Sequence, residues 1–265
     1  MQPELFISEV YRRMQARSGL HYHAMDWEAM RTSSVVRDGV EFYAPLLPED
    51  KDAPILDIGF GSGEFIAVCI LLGYTHIYGA EFGVEGRRYM YDWSPSVRAL
   101  DEITTGIGDY LAEKKECFQF IHMSHVIEHL PKYTLLYHVD AMYQALTLHG
   151  TILLRCPNMD FPYANRMHYF VLGHEYGFSD NNLKQLLEIC QFDQVCFHSM
   201  KEQMTLKQRL GVVLRFPLIV WEQVKRRLLL TNPGVYRGEE LIVTAKRESR
   251  PPLFERSQVW EKSRC

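Results

Sequence analysis

Short apolar runs alternate with helical stretches through most of the chain after residue 50. The apolar runs cover residues 55–58, 76–82, 103–108, 117–123, 151–155, 195–198 and 241–245. Apolar side chains recur at helical spacing in residues 64–72, 135–148 and 181–190. Strands that alternate with helices predict an α/β fold, in which helices cover both faces of a mostly parallel sheet. Because such sheets bind ligands beyond the carboxyl ends of their strands, the residues just after each strand are the candidates for chemistry.

The pattern divides the chain into a central domain with flanking segments. Residues 1–50 predict an N-terminal helical segment that ends near Pro45 and Pro48, and residues 51–247 form the α/β domain. Within that domain, residues 200–238 predict a basic helical insert before the last strand, and residues 248–265 predict an extended tail. We therefore expect one large domain with a lid and an insert.

Composition and charge exclude several classes of protein. The chain has 265 residues, of which 47% are hydrophobic and 23% are charged, as in an ordinary globular protein. No apolar run reaches 18 residues, no secretory signal begins the sequence, and none of the six cysteines forms a CxxC pair. These features favour a reducing, cytoplasmic setting. Residues 201–230 carry +5, which leaves −9 on the rest of a chain whose net charge is −4, so nucleic acid is a poor partner.

A glycine-rich turn follows the first predicted strand. Its sequence, DIGFGSGE, covers residues 57–64, and glycines there let the backbone turn tightly and approach a ligand. The dinucleotide fingerprint needs Gly or Ala where this chain has Glu64, whose carboxylate would face a pyrophosphate, so NAD is disfavoured. Glu81 ends the next strand, where an acid can accept ribose hydroxyls. A pocket ringed by Asp57 and Glu81 suits a ligand with a cationic amine and a cationic sulfonium.

These two segments, DIGFGSGEF and YGAEF, resemble the first two motifs of class I S-adenosylmethionine-dependent methyltransferases. The resemblance covers about residues 55–196 and resumes at 240–246. It implies a Rossmann-like sheet of seven strands with S-adenosylmethionine as cofactor. In that family the glycine loop contacts the methionine part, the acid after the second strand binds ribose, and a segment after the third strand meets adenine. The implied cofactor residues are Asp57, Gly59, Phe60, Gly61, Glu81, Phe82, Asp109, Tyr110, Ser124 and His125.

The segment after the fourth strand carries several ionisable side chains. If a helix begins near Ser124, then His125, Glu128 and His129 share one face. The HxxEH spacing also occurs in zinc peptidases, but those need a long helix, and Pro131 interrupts this one. Related quinone O-methyltransferases hold a divalent cation with an acid where this chain has His125, so we expect no metal here. Glu128 and His129 would then face the acceptor, unless they only orient the loop.

The loop after the fifth strand indicates which class of acceptor to expect. Its PN…HE…FS arrangement, over residues 157–179, resembles a branch of the family associated with bacterial surface polysaccharides and related glycans. The resemblance places His174 over the active site as the leading candidate for contacting an acceptor hydroxyl, although such histidines also serve structure alone. Ser179 is a plausible N-cap for the following helix. The N-terminal segment, with aromatic and basic groups at 21–31, would cover the site as a lid.

The resemblance therefore implies an O-methyltransferase that acts on a sugar hydroxyl of a surface polysaccharide or glycolipid. The alternatives are a quinone or other small-molecule O-methyltransferase, a non-catalytic scaffold and, least favoured, a zinc peptidase. The insert at 201–230 combines basic residues with Trp221 and Leu228 at helical spacing, which is typical of membrane-surface helices. It could instead form a homodimer contact or pack on the body. A peripheral position at the inner face of the membrane is one expectation.

Overall fold

The computed structural model describes residues 26–82, 88–161, 164, 168–169, 171–200, 216–217, 220–221, 224, 228 and 238–248. Predictions for residues 1–25, most of the basic insert and the tail from residue 249 lie outside this part of the chain. Within it, no helix is long and apolar enough to cross a membrane.

One seven-stranded sheet organises the molecule, as the sequence predicts. The strands are β1 (Ile55–Ile58), β2 (Ile77–Glu81), β3 (Val97–Glu102), β4 (Phe118–Ser124), β5 (Leu146–Pro157), β6 (Asp193–His198) and β7 (Glu240–Lys246). Their order is β3-β2-β1-β4-β5-β7-β6. Strands β1 to β5 pair in parallel, and β7 runs antiparallel to both β5 and β6. The carboxyl ends of β1 to β5 therefore meet at one edge of the sheet, which we call the ligand edge.

Helices cover both faces of the sheet. They are α1 (Trp27–Thr32), α2 (Ser34–Tyr43), α3 (Glu64–Leu71), α4 (Ile107–Ala112), α5 (Leu135–Ala145) and α6 (Asp180–Ile189). Two short 3-10 helices lie at Arg88–Asp92 and Ile127–His129. One buried cluster joins α1 to α3 with one face of the sheet, and a second joins α4 to α6 with the other. The core thus fixes every element that reaches the ligand edge.

The clearest differences from the predicted boundaries concern the third strand and the start of the fifth. The third strand is Val97–Glu102 rather than 103–108, because β3 is an edge strand in which only Val97 and Leu100 are fully buried. Its weak apolar pattern concealed it, and part of the predicted strand begins α4 instead. The helix predicted at 135–148 ends at Ala145, since β5 begins at Leu146.

Candidate functional site

The glycine loop that follows β1 brings backbone close to the ligand edge. Gly59 has φ +74°, and a Cβ there would lie 2.3 Å from Cγ2 of Val126. Gly63 has φ +89° and immediately precedes α3. Only glycine meets both the conformation and the close approach at low cost. The loop therefore leaves room beside the backbone at the start of α3, where free N–H groups and the helix dipole face the ligand edge.

A cavity of about 380 Å³ opens beside this loop. Six of the predicted cofactor residues line it, namely Asp57, Gly59, Phe60, Gly61, Ser124 and His125. Helix α2 closes one side through Tyr43, and Arg155 from β5 closes another. Glu64 also lines the cavity, and burial raises the pKa of its carboxyl group. The structure thus brings residues from four separate segments into one pocket.

A buried polar chain forms one wall of the cavity, and sequence reasoning missed two of its members. Nδ1 of His122 donates to Oδ1 of Asp57 at 2.7 Å, and both side chains are almost fully buried. The Tyr43 hydroxyl lies 3.3 Å from Nε2 of the same imidazole. Burial raises the pKa of Tyr43 to about 12, so the hydroxyl stays protonated at neutral pH. The signal for His122 was present in the sequence, since a polar residue interrupts an otherwise apolar strand.

Glu81 and Phe82 lie at the end of the neighbouring strand. Oε2 of Glu81 accepts from the backbone N–H of Gly61 at 3.2 Å, and Oε1 accepts from that of Phe82 at 2.8 Å. The carboxylate is thereby fixed against the glycine loop, although neither Glu81 nor Phe82 lines the cavity described above. Contact of Glu81 with ribose remains a prediction.

Asp109 and Tyr110 occupy a different position from the one predicted. Both lie in α4 rather than directly after the third strand, because that strand ends at Glu102. Asp109 is exposed and accepts from the Tyr137 hydroxyl at 2.6 Å, while the Tyr110 hydroxyl donates to Asp101 at 2.7 Å. Neither residue lines the cavity described above. Their contact with adenine remains a prediction.

No helix begins at Ser124, so the predicted shared face of His125, Glu128 and His129 is wrong. His125 has φ +54°, a left-handed conformation that is uncommon for a residue with a side chain. This turn separates β4 from the 3-10 helix Ile127–His129. The imidazole lies at the cavity, within reach of two carboxylates.

His125 bridges Glu240 and Glu128. Its Nε2 donates to Oε1 of Glu240 at 2.8 Å, and its Nδ1 lies 3.3 Å from Oε1 of Glu128. Burial acts to lower the pKa of His125, but the two carboxylates outweigh it and raise the pKa to about 9. Arg155 donates from Nε to Oε2 of Glu240 at 2.7 Å, which holds that carboxylate in place. Neither Arg155 nor Glu240 was predicted, because they come from different strands.

Beyond His125 lies a buried cluster of Glu128, His129 and His174, the three predicted catalytic residues. One possible ligand atom of each lies within 4.8 Å of the others. Glu128 is 2% exposed, and neither of its carboxylate oxygens has a hydrogen-bond partner in the described structure. Nδ1 of His174 is likewise buried without a partner. Burial, followed by the proximity of His129, lowers the pKa of His174, so its imidazole is neutral at neutral pH.

Backbone contacts hold the loop that carries His174 against the 3-10 helix. The N–H groups of Glu175 and Tyr176 donate to the Glu128 carbonyl at 2.8 and 3.1 Å. The predicted N-cap at Ser179 is confirmed, and Asn182 completes a capping box with it. The cluster is therefore assembled from two segments that are some 45 residues apart in sequence.

The basic insert is described only at isolated positions. Phe216, Val220, Trp221, Val224 and Leu228 are helical, and Trp221 and Leu228 are 61% and 77% exposed. The basic residues between them lie outside the described part of the chain.

Comparisons with known proteins agree with this geometry. A family model described as a methyltransferase domain matches residues 27–196. No curated protein matches the chain. A solved S-adenosylmethionine-dependent methyltransferase from Archaeoglobus fulgidus is 18% identical with a TM-score of 0.58, over 83% of this chain and 96% of that one.

Two further solved structures share the fold. The 1,6-didemethyltoxoflavin-N1-methyltransferase of Burkholderia thailandensis, bound to its substrate and S-adenosylhomocysteine, is 13% identical with a TM-score of 0.57. That match covers 94% of this chain and 91% of that one. Phosphoethanolamine N-methyltransferase 2 of Haemonchus contortus, bound to S-adenosyl-L-methionine, is 11% identical with a TM-score of 0.53. It covers 80% of this chain but 52% of that one.

Proposed function

The chain belongs to the family of methyltransferase domains, and from that premise we propose that it moves a methyl group from S-adenosylmethionine to a hydroxyl oxygen. The acceptor is a sugar hydroxyl of a surface polysaccharide or glycolipid. On this proposal the cavity beside the glycine loop takes the cofactor, Asp57 in its wall binds the amine, and Glu81 at the end of the neighbouring strand binds the ribose. Acidic groups suit this ligand because it carries a cationic amine and a sulfonium.

The observation that carries the proposal is the cluster of Glu128, His129 and His174 next to the cofactor cavity. Its buried carboxylate oxygens and its buried imidazole nitrogen are unused hydrogen-bond acceptors. A hydroxyl is a donor that would satisfy them, and buried polar atoms generally have such a partner. His125 connects the two places, since it lines the cavity and contacts Glu128.

The reaction is an in-line displacement at the methyl carbon. The sulfonium C–S bond breaks as the C–O bond forms, S-adenosylhomocysteine leaves with the sulfur electron pair, and the hydroxyl proton passes to the cluster. Alignment of an activated sulfonium supplies about 7–11 kcal/mol of barrier reduction. Removal of the proton adds roughly 10²–10⁴-fold, and His174 is the leading candidate to receive it because its imidazole is neutral.

The sugar acceptor rests on the resemblance of the loop after β5 to the glycan-modifying branch. A transfer assay against a panel of glycans and quinols, with mass detection of the methylated product, tests it. We expect a mass increase of one methyl group on a glycan. Methylation of quinols alone would favour the small-molecule alternative, and methylation of an amine would contradict transfer to oxygen.

We also propose that residues 201–230 bring the enzyme to an anionic membrane, where glycolipid acceptors lie. The segment carries +5, and each basic group near an anionic surface contributes about 1 kcal/mol. Trp221 and Leu228 present exposed apolar surface that suits the interface. Vesicle sedimentation tests this proposal: binding should weaken with added salt and disappear when Lys225, Arg226 and Arg227 are changed to Glu. A variant that still sediments, or one that changes from dimer to monomer, would show a packing or subunit contact instead.

A further inference from the structure

The carboxylate of Glu128 lacks a positive or protic partner on one side. Its Oε1 forms an ion pair with Nδ1 of His125 at 3.3 Å, and its Oε2 has no hydrogen-bond partner in the described structure. A carboxyl group at 2% exposure is costly to bury unless partners satisfy both of its oxygens. No described residue donates to Oε2, so this oxygen is available to a bound ion or ligand.

His129 makes the backbone contact that metal-binding imidazoles commonly make. Its Nδ1 donates to the Gly173 carbonyl at 2.8 Å, which requires the proton on Nδ1 and leaves the lone pair on Nε2. Imidazoles that bind metals almost always donate their other N–H to a carbonyl or carboxylate, and this contact fixes both tautomer and ring orientation. The Gly173 carbonyl belongs to the same loop as His174, so one segment both orients one imidazole and provides the other.

We infer that Glu128, His129 and His174 together bind one divalent transition-metal ion. Their ligand atoms lie within 4.8 Å of one another, and atoms that share an ion at about 2.0–2.2 Å stand at most about 4.4 Å apart. Small rotations of the side chains therefore suffice. The ion would give the buried carboxylate a second cationic partner, on the side away from His125.

The donor set selects the kind of ion. One carboxylate and two imidazoles suit Zn²⁺ or a similar first-row ion, whereas Mg²⁺ prefers oxygen ligands alone. Three protein ligands leave a further position open for an exogenous oxygen. On the proposed function, the acceptor hydroxyl would take that position, and the ion would lower the pKa of the hydroxyl so that its proton leaves to water rather than to the His174 imidazole.

The sequence led us to expect no metal because only the local HxxEH segment was considered. There, His125 stands where metal-using relatives have an acid. The set inferred here does not include His125, since its third member comes from the loop after β5. The new ligand could not be assigned from spacing, because the fold brings the two segments together.

Titration calorimetry of tag-free protein, first stripped with a chelator, tests the inference with Zn²⁺, Co²⁺ and Mg²⁺ as probes. We expect one Zn²⁺ or Co²⁺ ion per chain and no Mg²⁺ binding. Loss of outer contacts alone costs 10–100-fold in metal affinity, so Glu128→Gln and His174→Gln should each weaken Zn²⁺ binding by about 100-fold or more. His149→Gln is the matched control, because His149 is an exposed histidine paired with Glu248 outside the cluster.

Circular dichroism first tests whether each variant is folded. If the variant at the buried Glu128 does not fold, the His174→Gln variant alone provides the test. Zn²⁺ binding that is absent, or equally tight in the His174→Gln variant, overturns the metal site. If the stripped enzyme binds no metal but still methylates its acceptor, the proposed function stands with His174 as base. If Zn²⁺ binds as expected but no acceptor is methylated, the metal site stands and the proposed function fails.

Discussion

Two regions of the ligand edge satisfy their polar groups in different ways. Following the proposed function, we call the region of Asp57 and Glu81 the cofactor side and the region of Glu128, His129 and His174 the acceptor side. On the cofactor side, Asp57 is paired with His122, and both oxygens of Glu81 accept backbone N–H groups. On the acceptor side, the carboxylate oxygens of Glu128 and Nδ1 of His174 are buried with no hydrogen-bond partner in the described residues. The first region is complete as a protein structure. The second becomes complete only when something binds there.

This difference indicates that the two regions have different roles, one in positioning the cofactor and the other in reacting with the acceptor. A fully hydrogen-bonded wall holds its shape before a ligand arrives, so it contributes mainly to affinity. Buried acceptors without partners keep an energetic cost that a hydroxyl or a cation removes, and functional sites commonly retain such groups. Variants on the acceptor side should therefore change methyl-transfer activity, and variants on the cofactor side should change the affinity for S-adenosylhomocysteine.

The largest loss of methyl-transfer activity is expected on the acceptor side, from Glu128→Gln. This change replaces a carboxyl oxygen of the cluster with an amide group of the same shape, so proton removal by the cluster should be impaired and methyl transfer should fall by roughly 10²–10⁴-fold. Affinity for S-adenosylhomocysteine, measured by calorimetry, should stay unchanged. Glu175→Gln is the matched control, because Glu175 is an exposed carboxylate in the adjacent loop that contacts Glu128 only through backbone. Equal losses of activity in both variants would remove the distinction between the two regions.

The next effect is expected on the cofactor side, from Glu81→Ala. If Glu81 binds the ribose as proposed, the change removes one or two charge-assisted hydrogen bonds, each about 1.5–3 kcal/mol, so S-adenosylhomocysteine should bind at least tenfold more weakly. Saturating cofactor should restore most of the turnover. Glu102→Ala provides the comparison, since Glu102 is the exposed residue paired with Glu81 on the next strand. A larger loss of affinity in the Glu102→Ala variant would indicate that ribose binds at the end of β3 rather than at the end of β2.

The smallest effect is expected from Ser179→Ala, which removes the N-cap of α6 behind the loop that carries His174. Loss of such a cap costs about 1 kcal/mol of stability, measured as the free energy of unfolding in urea. Because the capped helix supports only the acceptor side, turnover should drop slightly while cofactor affinity holds. Weaker cofactor binding in this variant would show that the two regions are coupled through the sheet.

Much of the fold was predictable because its signals are local. Four-residue apolar runs such as Ile55–Ile58 mark central strands that are buried on both faces, and Ser179 marks a helix start. The edge strand β3 was misplaced since one of its faces is largely exposed and its pattern is weak. The start of β5 was hidden inside an apparent helix because apolar residues run across the boundary at Leu146.

The site was predictable only as far as it lies in contiguous motifs. Asp57, Gly59 and Gly61 line the cavity as expected because one loop holds them. The left-handed turn at His125 was not visible in the sequence, so the orientation of its side chain was misjudged. Contacts such as that of Arg155 with Glu240 join residues 85 positions apart, and no spacing rule can find them.

The antiparallel direction of β7 has a consequence for how this enzyme could be altered. Strand β6 ends and β7 begins at the ligand edge, because His198 pairs with Ile242 and Glu240 pairs with Pro157. The stretch between them, residues 199–239, therefore leaves and re-enters the domain at the edge where the acceptor cluster lies. Every assigned cofactor residue precedes it in the chain. Since Met200 lines the cavity assigned to the cofactor and the Gly238 carbonyl accepts from Asn158, residues 201–237 are the natural graft, which could be exchanged for a segment of another family member to change the acceptor.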